Sequence, residues 1–136
     1  MNGPHTFRKE ERISSKKEID FLFENGTSFI SYPLRIVFCE KEASASAQFS
    51  VLISVSKRKF KRAVKRNRVK RLIREAYRLN KSILTSALSL NIGFIFVGHD
   101  IPDFKQIESA MIKALSLITE KTSRIETDPS SDEKLV

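Results

Sequence analysis

The chain has 136 residues, of which 40% are hydrophobic and 30% charged, so it has the size and composition of one folded soluble domain. Its formal net charge of +9 indicates a polyanionic partner, either nucleic acid or an acidic membrane surface. The single cysteine, Cys39, excludes an internal disulfide, and no apolar run approaches the roughly 20 residues of a membrane-spanning helix. Without an apolar signal segment, the protein is expected to be cytoplasmic and to have no membrane span.

The sequence predicts one domain with loose ends. We expect a flexible arm at residues 1–8, a folded domain at 9–122 and a disordered acidic and polar tail at 123–136. The tail is rich in Ser, Thr, Asp and Glu and has too few apolar side chains to bury. We find no internal repeat and no second domain.

A short amphipathic helix is predicted after the arm. Ser15 with Glu18 three residues later forms a capping-box pattern, and Asn25 followed by Gly26 supplies a stop signal. The apolar residues that share one face of this helix are Ile19, Leu22 and Phe23. The helix is therefore expected to pack on the domain by a single face.

Three strands are predicted from the apolar pattern. Residues 34–39 and 49–56 each alternate apolar and polar side chains, and we expect them to pair as an antiparallel hairpin. Residues 92–97 form a nearly continuous apolar run, which indicates a strand buried on both faces.

Two further helical segments flank the third strand. Residues 82–90 fit a short helix, and Asp103 with Gln106 can cap a final one. The apolar stripe of the final helix consists of Phe104, Ile107, Met111, Ala114, Leu115 and Ile118.

The remaining segment, residues 57–78, is strongly basic. A helix is predicted from residue 62 to 80, because apolar residues recur there at the spacing of one buried stripe. The stripe contains Val69, Leu72, Ile73, Ala76 and Tyr77. The opposite face, with its flanks, carries Asn67, Lys70, Arg71, Arg74, Arg78, Arg66 and Arg68. Ala63 and Val64 do not continue the stripe, so the first turn is expected to pack differently.

This helix carries the whole excess of positive charge. Residues 57–74 contain 11 Lys or Arg and no Asp or Glu, whereas the rest of the chain has a net charge of −2. A basic helix is commonly just a solvated face, but this density costs stability unless a polyanion neutralises it. The many arginines favour nucleic acid, because their planar fork matches phosphate. A membrane-surface helix would instead expose a broad apolar face, and the apolar face here is expected to join the core.

The sequence contains no recognisable catalytic machinery. His5 and His99 share no motif, Cys39 has no cysteine partner at metal-binding spacing, and helix capping explains Asp103 beside Asp100. A glycine-rich phosphate loop is also missing. We therefore predict no catalytic residue, no protein-bound metal or other cofactor, and no small-molecule substrate.

One continuous pattern resembles a known family. Residues 55–58 read Val-Ser-Lys-Arg, and residues 63–75 read Ala-Val-Lys-Arg-Asn-Arg-Val-Lys-Arg-Leu-Ile-Arg-Glu. This is similar to the protein component of bacterial ribonuclease P, including its Arg-Asn-Arg signature, here at 66–68. The resemblance extends over roughly residues 7–121.

The resemblance implies a fold and a function. The fold is a single α+β domain, a sandwich-like αβββαβα order with a left-handed βαβ crossover, shared with the second domain of a ribosomal protein. In this family the RNA subunit, which requires Mg²⁺, removes the 5′ leader from precursor tRNA. The protein is the accessory subunit of this endoribonuclease, and it binds the leader and steadies the catalytic RNA.

The resemblance also assigns residues. Those expected to bind the catalytic RNA are Arg66, Asn67, Arg68, Lys70, Arg71 and Arg74. Those expected to form the leader cleft and its flanks are Phe23, Val37, Lys57, Arg58 and Arg12. Ile19 and Val37 stand where the family commonly has aromatic residues, His99 lies where an arginine is frequent, and the loop before Ala63 has no glycine. Phe23 could equally be a core residue.

Three other functions share some of these features. A ribosomal or other structural RNA-binding protein would have a basic helix but no reason for the Arg-Asn-Arg pattern. A reader of double-stranded DNA would need side chains poised for base edges and a dimer interface. A protein nuclease would need catalytic groups of its own.

Overall fold

A computed structural model describes residues 11–13, 15–41 and 48–127, with side chains described as far as residue 123. The elements in chain order are α1 (Lys16–Asn25), β1 (Thr27–Ser31), β2 (Leu34–Glu40), β3 (Phe49–Ser54), α2 (Ala63–Asn80), β4 (Leu90–Phe96) and α3 (Phe104–Thr127). The predicted α+β class and αβββαβα order are confirmed. The predicted arm at 1–8 and residues 128–136 of the predicted tail lie outside the described residues, whereas α3 continues past residue 122, where we expected the domain to end.

The four strands form one sheet in the order β1-β2-β4-β3, in which β3 and β4 are parallel and the other pairs are antiparallel. The predicted hairpin between residues 34–39 and 49–56 is wrong. The hairpin partner of β2 is β1, which is joined to it through Tyr32 and Pro33. The apolar β4 is buried along nearly its whole length because it lies between β2 and β3.

The main core lies between the sheet and the pair α2 and α3. The predicted stripe of α2 is confirmed, since Val69, Ile73, Ala76 and Tyr77 are buried and Leu72 packs at the edge of the cluster. The Tyr77 and Phe94 ring centroids lie 5.9 Å apart across the interface of α2 and β4. Each such large apolar side chain contributes about 1.5–3 kcal/mol by leaving water.

At the start of α3 and after the end of α2, side chains form hydrogen bonds with backbone groups that have no helical partner. At the start of α3 the Gln106 amide donates to Asp103 Oδ1 at 2.9 Å, and the Asp103 amide donates to Gln106 Oε1, which confirms the predicted cap. The predicted helix at 82–90 is wrong, because only a 3-10 turn (Lys81–Ile83) follows α2. Beyond the turn, the Thr85 backbone amide has no helical carbonyl to donate to and donates instead to the hydroxyl oxygen of Thr119, Oγ1.

The opposite face of the sheet is covered in part by α1. Ser15 Oγ accepts from the Glu18 amide, and Gly26 ends the helix as predicted. A smaller cluster of Ile13, Leu22 and Val37 fills the contact between α1 and the sheet. A Cβ atom at Gly26 would lie 2.5 Å from Val37 Cγ2 and from the Leu22 carbonyl oxygen, so only glycine allows α1 to descend this closely onto β2.

Candidate nucleic-acid interface

The face of α2 opposite its core stripe is an open row of polar and basic side chains. Asn67, Arg68 and Arg71 are exposed, whereas Lys70 and Arg74 are half-buried. The first turn packs no side chain into the core, since Ala63 is exposed and Val64 is 78% exposed. We call this surface, residues 66–74 on the outer side of α2, the basic helix face.

Arg74, on the basic helix face, has a side-chain nitrogen without a hydrogen-bond acceptor among the described residues. Its Nε atom is buried and donates no hydrogen bond within the described part of the chain. A buried cationic donor is costly when unpaired, and a phosphate oxygen would satisfy it. Arg74 is therefore a half-buried cation of this face whose Nε has no acceptor among the described residues.

Arg78 marks where the basic helix face ends. Its guanidinium forms an ion pair with Glu75 one turn earlier, with Nε donating to Oε1 at 3.0 Å. The hydrogen bond from Arg78 lowers the pKa of Glu75, so the carboxylate stays ionised and neutralises the arginine. Arg78 thus contributes little positive charge to the surface.

The segment between β3 and α2, residues 57–62, forms an ordered basic loop. Phe60 is buried, and its ring stacks on Phe96 with 6.0 Å between centroids. Two backbone amides near the loop start, those of Lys59 and Phe60, donate to the Ser56 carbonyl oxygen. With Phe60 anchored, the predicted site residues Lys57 and Arg58 lie exposed. The apolar Phe60 among lysines and arginines is the signal that could have predicted this anchor.

Arg66 ties the basic loop to the helix that follows it. Its Nη1 atom donates to the carbonyl oxygens of Phe60 at 2.8 Å and of Lys61 at 2.9 Å. The first arginine of the Arg-Asn-Arg signature therefore positions the loop.

The predicted leader cleft lies on the face of the sheet that carries α1. Phe23 is 48% exposed, which excludes the alternative that it is a core residue. Val37 is only 3% exposed because it packs beneath Leu22 of α1, so its assignment to the surface of the cleft is corrected. The cleft surface must therefore come from neighbouring positions that α1 leaves uncovered.

Those positions form a row across the sheet. The register pairs Ile30 of β1 with Arg35 of β2, Arg35 with Ile95 of β4, and Ile95 with Ser54 of β3. Ile30 and Arg35 are exposed and the other two are half-buried. We call these four residues, together with the exposed Phe23 of α1, the leader cleft. Sequence reasoning missed Arg35, because alternation places it on the same face as Val37 and cannot say which of the two α1 covers.

Arg12 lies exposed at the β3 edge of the sheet. Arg12 forms a parallel bridge with Val51 of β3, and the Ile13 amide donates to the Val51 carbonyl oxygen at 3.0 Å. The preceding Glu11 pairs with Lys81 at 2.8 Å. These contacts hold Arg12 beside β3, the strand that leads into the basic loop.

The groups considered for catalysis are dispersed. His99 is exposed after β4, and burial together with the charge of Glu18 raises the pKa of the Cys39 thiol. That thiol is thus kept protonated and is a poor nucleophile. Across residues 11–13, 15–41 and 48–127, no three His, Cys, Asp or Glu side chains converge as metal ligands. Of the helices in the same ranges, none has the length and hydrophobicity to cross a bilayer.

Comparison with known proteins settles the family. The model of the family described as ribonuclease P matches residues 7–119. The chain belongs to the ribonuclease P protein family. The ribonuclease P protein component of Porphyromonas gingivalis is 46% identical over 122 residues, which cover 85% of this chain and 89% of that protein. The ribonuclease P protein component of Clostridium botulinum is 34% identical over 110 residues, which cover 79% of this chain and 93% of that protein.

Solved structures agree with this family assignment. The ribonuclease P protein of Staphylococcus aureus superposes with a TM-score of 0.67 at 26% identity, covering 79% of this chain and 94% of that one. The protein from Thermotoga maritima, at 20% identity and a TM-score of 0.66, supports the fold. As a ribonuclease P protein component, the chain is the accessory subunit of an endoribonuclease and has an RNA partner in a ribonucleoprotein. A ribosomal or other structural RNA-binding role is not favoured.

Proposed function

We propose that the basic helix face docks on the catalytic RNA of ribonuclease P while the leader cleft holds the 5′ leader of precursor tRNA. The RNA subunit then removes the leader in the cytoplasm. The observation that carries this proposal is the basic helix face, where Arg68 and Arg71 stand exposed in a segment, residues 57–74, that contains no Asp or Glu. We infer that Mg²⁺ is bound by the RNA of the holoenzyme and that this chain provides cationic side chains rather than metal ligands.

The basic helix face suits a folded RNA. Arg68 and Arg71 stand exposed on a rigid helix and lie about 4.5 Å apart along its axis. The planar guanidinium of arginine can bind a phosphate bidentately, so less side-chain entropy is lost per hydrogen bond than with lysine. The neutral Asn67 adds donor and acceptor groups suited to sugar hydroxyls and base edges. The face thus supports docking on structured RNA.

The leader cleft suits a single strand of variable sequence. Phe23 offers a ring on which any base can stack, and Arg35 offers a charge for the backbone between two apolar neighbours. Ser54, at the end of the row, is the last residue of β3, and the basic loop begins at Lys57. A strand lying across the row therefore reaches the basic loop and, beyond it, α2. This continuity supports leader and catalytic RNA being held side by side.

Reconstitution tests the proposal. The purified protein alone should cleave no precursor tRNA, and together with the catalytic RNA of a matched ribonuclease P it should restore cleavage at a low Mg²⁺ concentration at which the RNA alone is inactive. Binding to the RNA without any stimulation of cleavage would support the structural RNA-binding alternative. Cleavage by RNA-free protein would overturn the proposal.

A further inference from the structure

A second concave surface lies on the other side of α1 from the leader cleft. It is a cavity of about 480 Å³ between α1, the end of β2 and the start of β4. Phe21 and Phe23 are about 200° apart around α1, so their rings leave the helix on opposite sides. The described residues that line the cavity are Glu18, Phe21, Glu40, Lys41 and Asn91.

Asn91 is the observation that points to a ligand. The residue is only 4% exposed, and its Oδ1 atom is buried without a hydrogen-bond donor among the residues that the structure describes. Buried amide oxygens in folded proteins almost always accept a hydrogen bond. The cavity beside Asn91 is therefore a place where a donor from a bound molecule would fit.

The charges around the cavity are unusual for this protein. Glu18 and Glu40 contribute two carboxylates to the lining of a chain whose overall charge is +9. The one cation among the described lining residues, Lys41, is directed to Ser50, with Nζ donating to Oγ at 2.7 Å, and burial lowers its pKa. Among the described lining residues, acceptors and negative charge therefore outnumber donors, which disfavours a phosphate and favours a cation that donates several hydrogen bonds.

We propose that this cavity binds a guanidinium group, either of a free guanidino compound or of an arginine side chain in a peptide. The planar cation lies against the Phe21 ring and donates to Asn91 Oδ1. Its remaining N–H groups pair with the carboxylates of Glu18 and Glu40. Phe21 is 53% exposed, so the ring face is accessible from solvent. A compact ammonium has no plane to stack and fewer donors to share.

A titration of the full-length protein tests the site. The ¹⁵N-labelled chain is titrated at constant ionic strength with agmatine, N-acetyl-arginine amide, N-acetyl-lysine amide and guanosine. Both guanidino compounds should shift the amide resonances of Phe21 and Asn91, with affinity at least ~5-fold above the lysine analogue. Preference for agmatine would identify a free compound as the source, and preference for the arginine amide would identify a peptide. Equal binding of the lysine analogue, tighter binding of guanosine, or no shift would overturn the proposal.

Three substitutions sharpen the test. Phe21→Leu removes the ring at an exposed position and should weaken agmatine binding about 5-fold. Asn91→Leu removes the acceptor with little change in volume; it should abolish binding without lowering the melting temperature, because it deletes an unpaired buried polar group. Glu24→Gln removes one carboxylate from an exposed position of α1 outside the cavity and should leave agmatine binding unchanged. Equal weakening by Glu24→Gln and Phe21→Leu, or a large drop in melting temperature in Asn91→Leu, would count against the site.

The guanidinium site and the leader cleft should be separable. Phe21→Leu should keep the stimulation of precursor tRNA cleavage, since Phe21 faces away from the leader cleft. Phe23→Leu should weaken leader binding yet keep agmatine binding. If both substitutions weakened only leader binding, the cavity would be an extension of the leader cleft and the guanidinium proposal would fail.

Discussion

Arg66 donates a hydrogen bond of 2.8 Å to the Phe60 carbonyl oxygen, and so connects the Arg-Asn-Arg signature to the one aromatic residue that anchors the basic loop. Because Phe60 stacks on Phe96 of β4, the loop is held to the core at one end and to α2 at the other. The positive charges of the loop are thus presented in a fixed arrangement before RNA binds.

Substitution of Arg66 should affect more than one phosphate contact. In Arg66→Ala the basic loop loses its tie to α2, so the charges of Lys57 and Arg58 are no longer fixed. The slope of log K for RNA binding against log salt should fall by more than the ~0.7–0.9 expected per lost phosphate contact. Arg68→Ala, which removes an exposed arginine without loop contacts, should change the slope by about that single amount. Amide exchange at Lys59 and Phe60 should accelerate only in Arg66→Ala; identical slopes and exchange rates in both variants would contradict this role.

Arg71 and Arg78 provide a matched pair on the same helix. Arg71 is exposed, and Arg71→Ala should reduce the salt slope by about 0.7–0.9. Arg78→Ala should change it much less, because Glu75 already neutralises that charge. Glu75→Gln should in turn steepen the slope by freeing Arg78. The measurement is equilibrium RNA binding at several salt concentrations, and equal effects of the two arginine substitutions would show that Arg78 also meets phosphate.

Substitutions in the leader cleft and in the packing beneath α1 should have different effects, on leader binding and on stability respectively. Phe23→Ala should weaken binding of a single-stranded leader by about 1–3 kcal/mol through lost stacking, and Arg35→Ala should reduce its salt dependence. Val37→Ala should instead lower the free energy of unfolding by about 1–3 kcal/mol, because it opens a void under Leu22. Leader affinity and urea denaturation distinguish the two effects. A stable Val37→Ala variant with strongly reduced leader affinity would return Val37 to the cleft surface.

Tyr77 should make the protein sensitive to alkali. Burial, with a smaller contribution from the charge of Glu11, raises the pKa of Tyr77 above its ordinary value. The unfolded chain ionises this tyrosine near pH 10, whereas the folded chain keeps it protonated. Its contribution to stability is therefore complete below about pH 10 and is lost as the pH rises further.

The check is denaturation as a function of pH. The free energy of unfolding of the unmodified protein should fall more steeply above about pH 10 than that of Tyr77→Phe. Tyr32→Phe is the matched control, since Tyr32 is 64% exposed and its hydroxyl is outside the core. A slope above pH 10 that is the same in all three proteins would remove Tyr77 as the source.

Much of the fold was predictable from local patterns. The α2 stripe, the Ser15 cap and the Asp103 cap each follow from neighbouring residues, and the structure confirms them. Strand pairing was not predictable in this way, because β2 and β3 have similar alternation and only the placement of β4 between them excludes a hairpin. The polar β1, with Ser and Thr at three of its five positions, has no apolar alternation to reveal it.

The two parts of the candidate site also differ in how far the sequence predicts them. The basic helix face was predictable because charge and helical period act within one segment, and Asn67, Arg68 and Arg71 are exposed as expected. The leader cleft depends on which part of the sheet α1 covers, a tertiary property set by the close approach at Gly26. The buried Val37 and the exposed Arg35 could not be distinguished from sequence alone.

The parallel pairing of β3 with β4 also has a consequence for synthesis on the ribosome. The inner strand β4 is the last strand to be made, and residues 57–80 leave the ribosome before the Leu90–Phe96 segment against which Tyr77 packs. Until that strand is available, the described residues offer β3 no partner beyond the short bridge at Arg12, and Tyr77 of α2 lacks the Phe94 ring against which it packs. Non-local pairing of this kind slows folding, because the chain between the two strands must be made and closed into a loop first. A nascent chain halted before residue 90 would display its strongest positive charge on an unfinished domain.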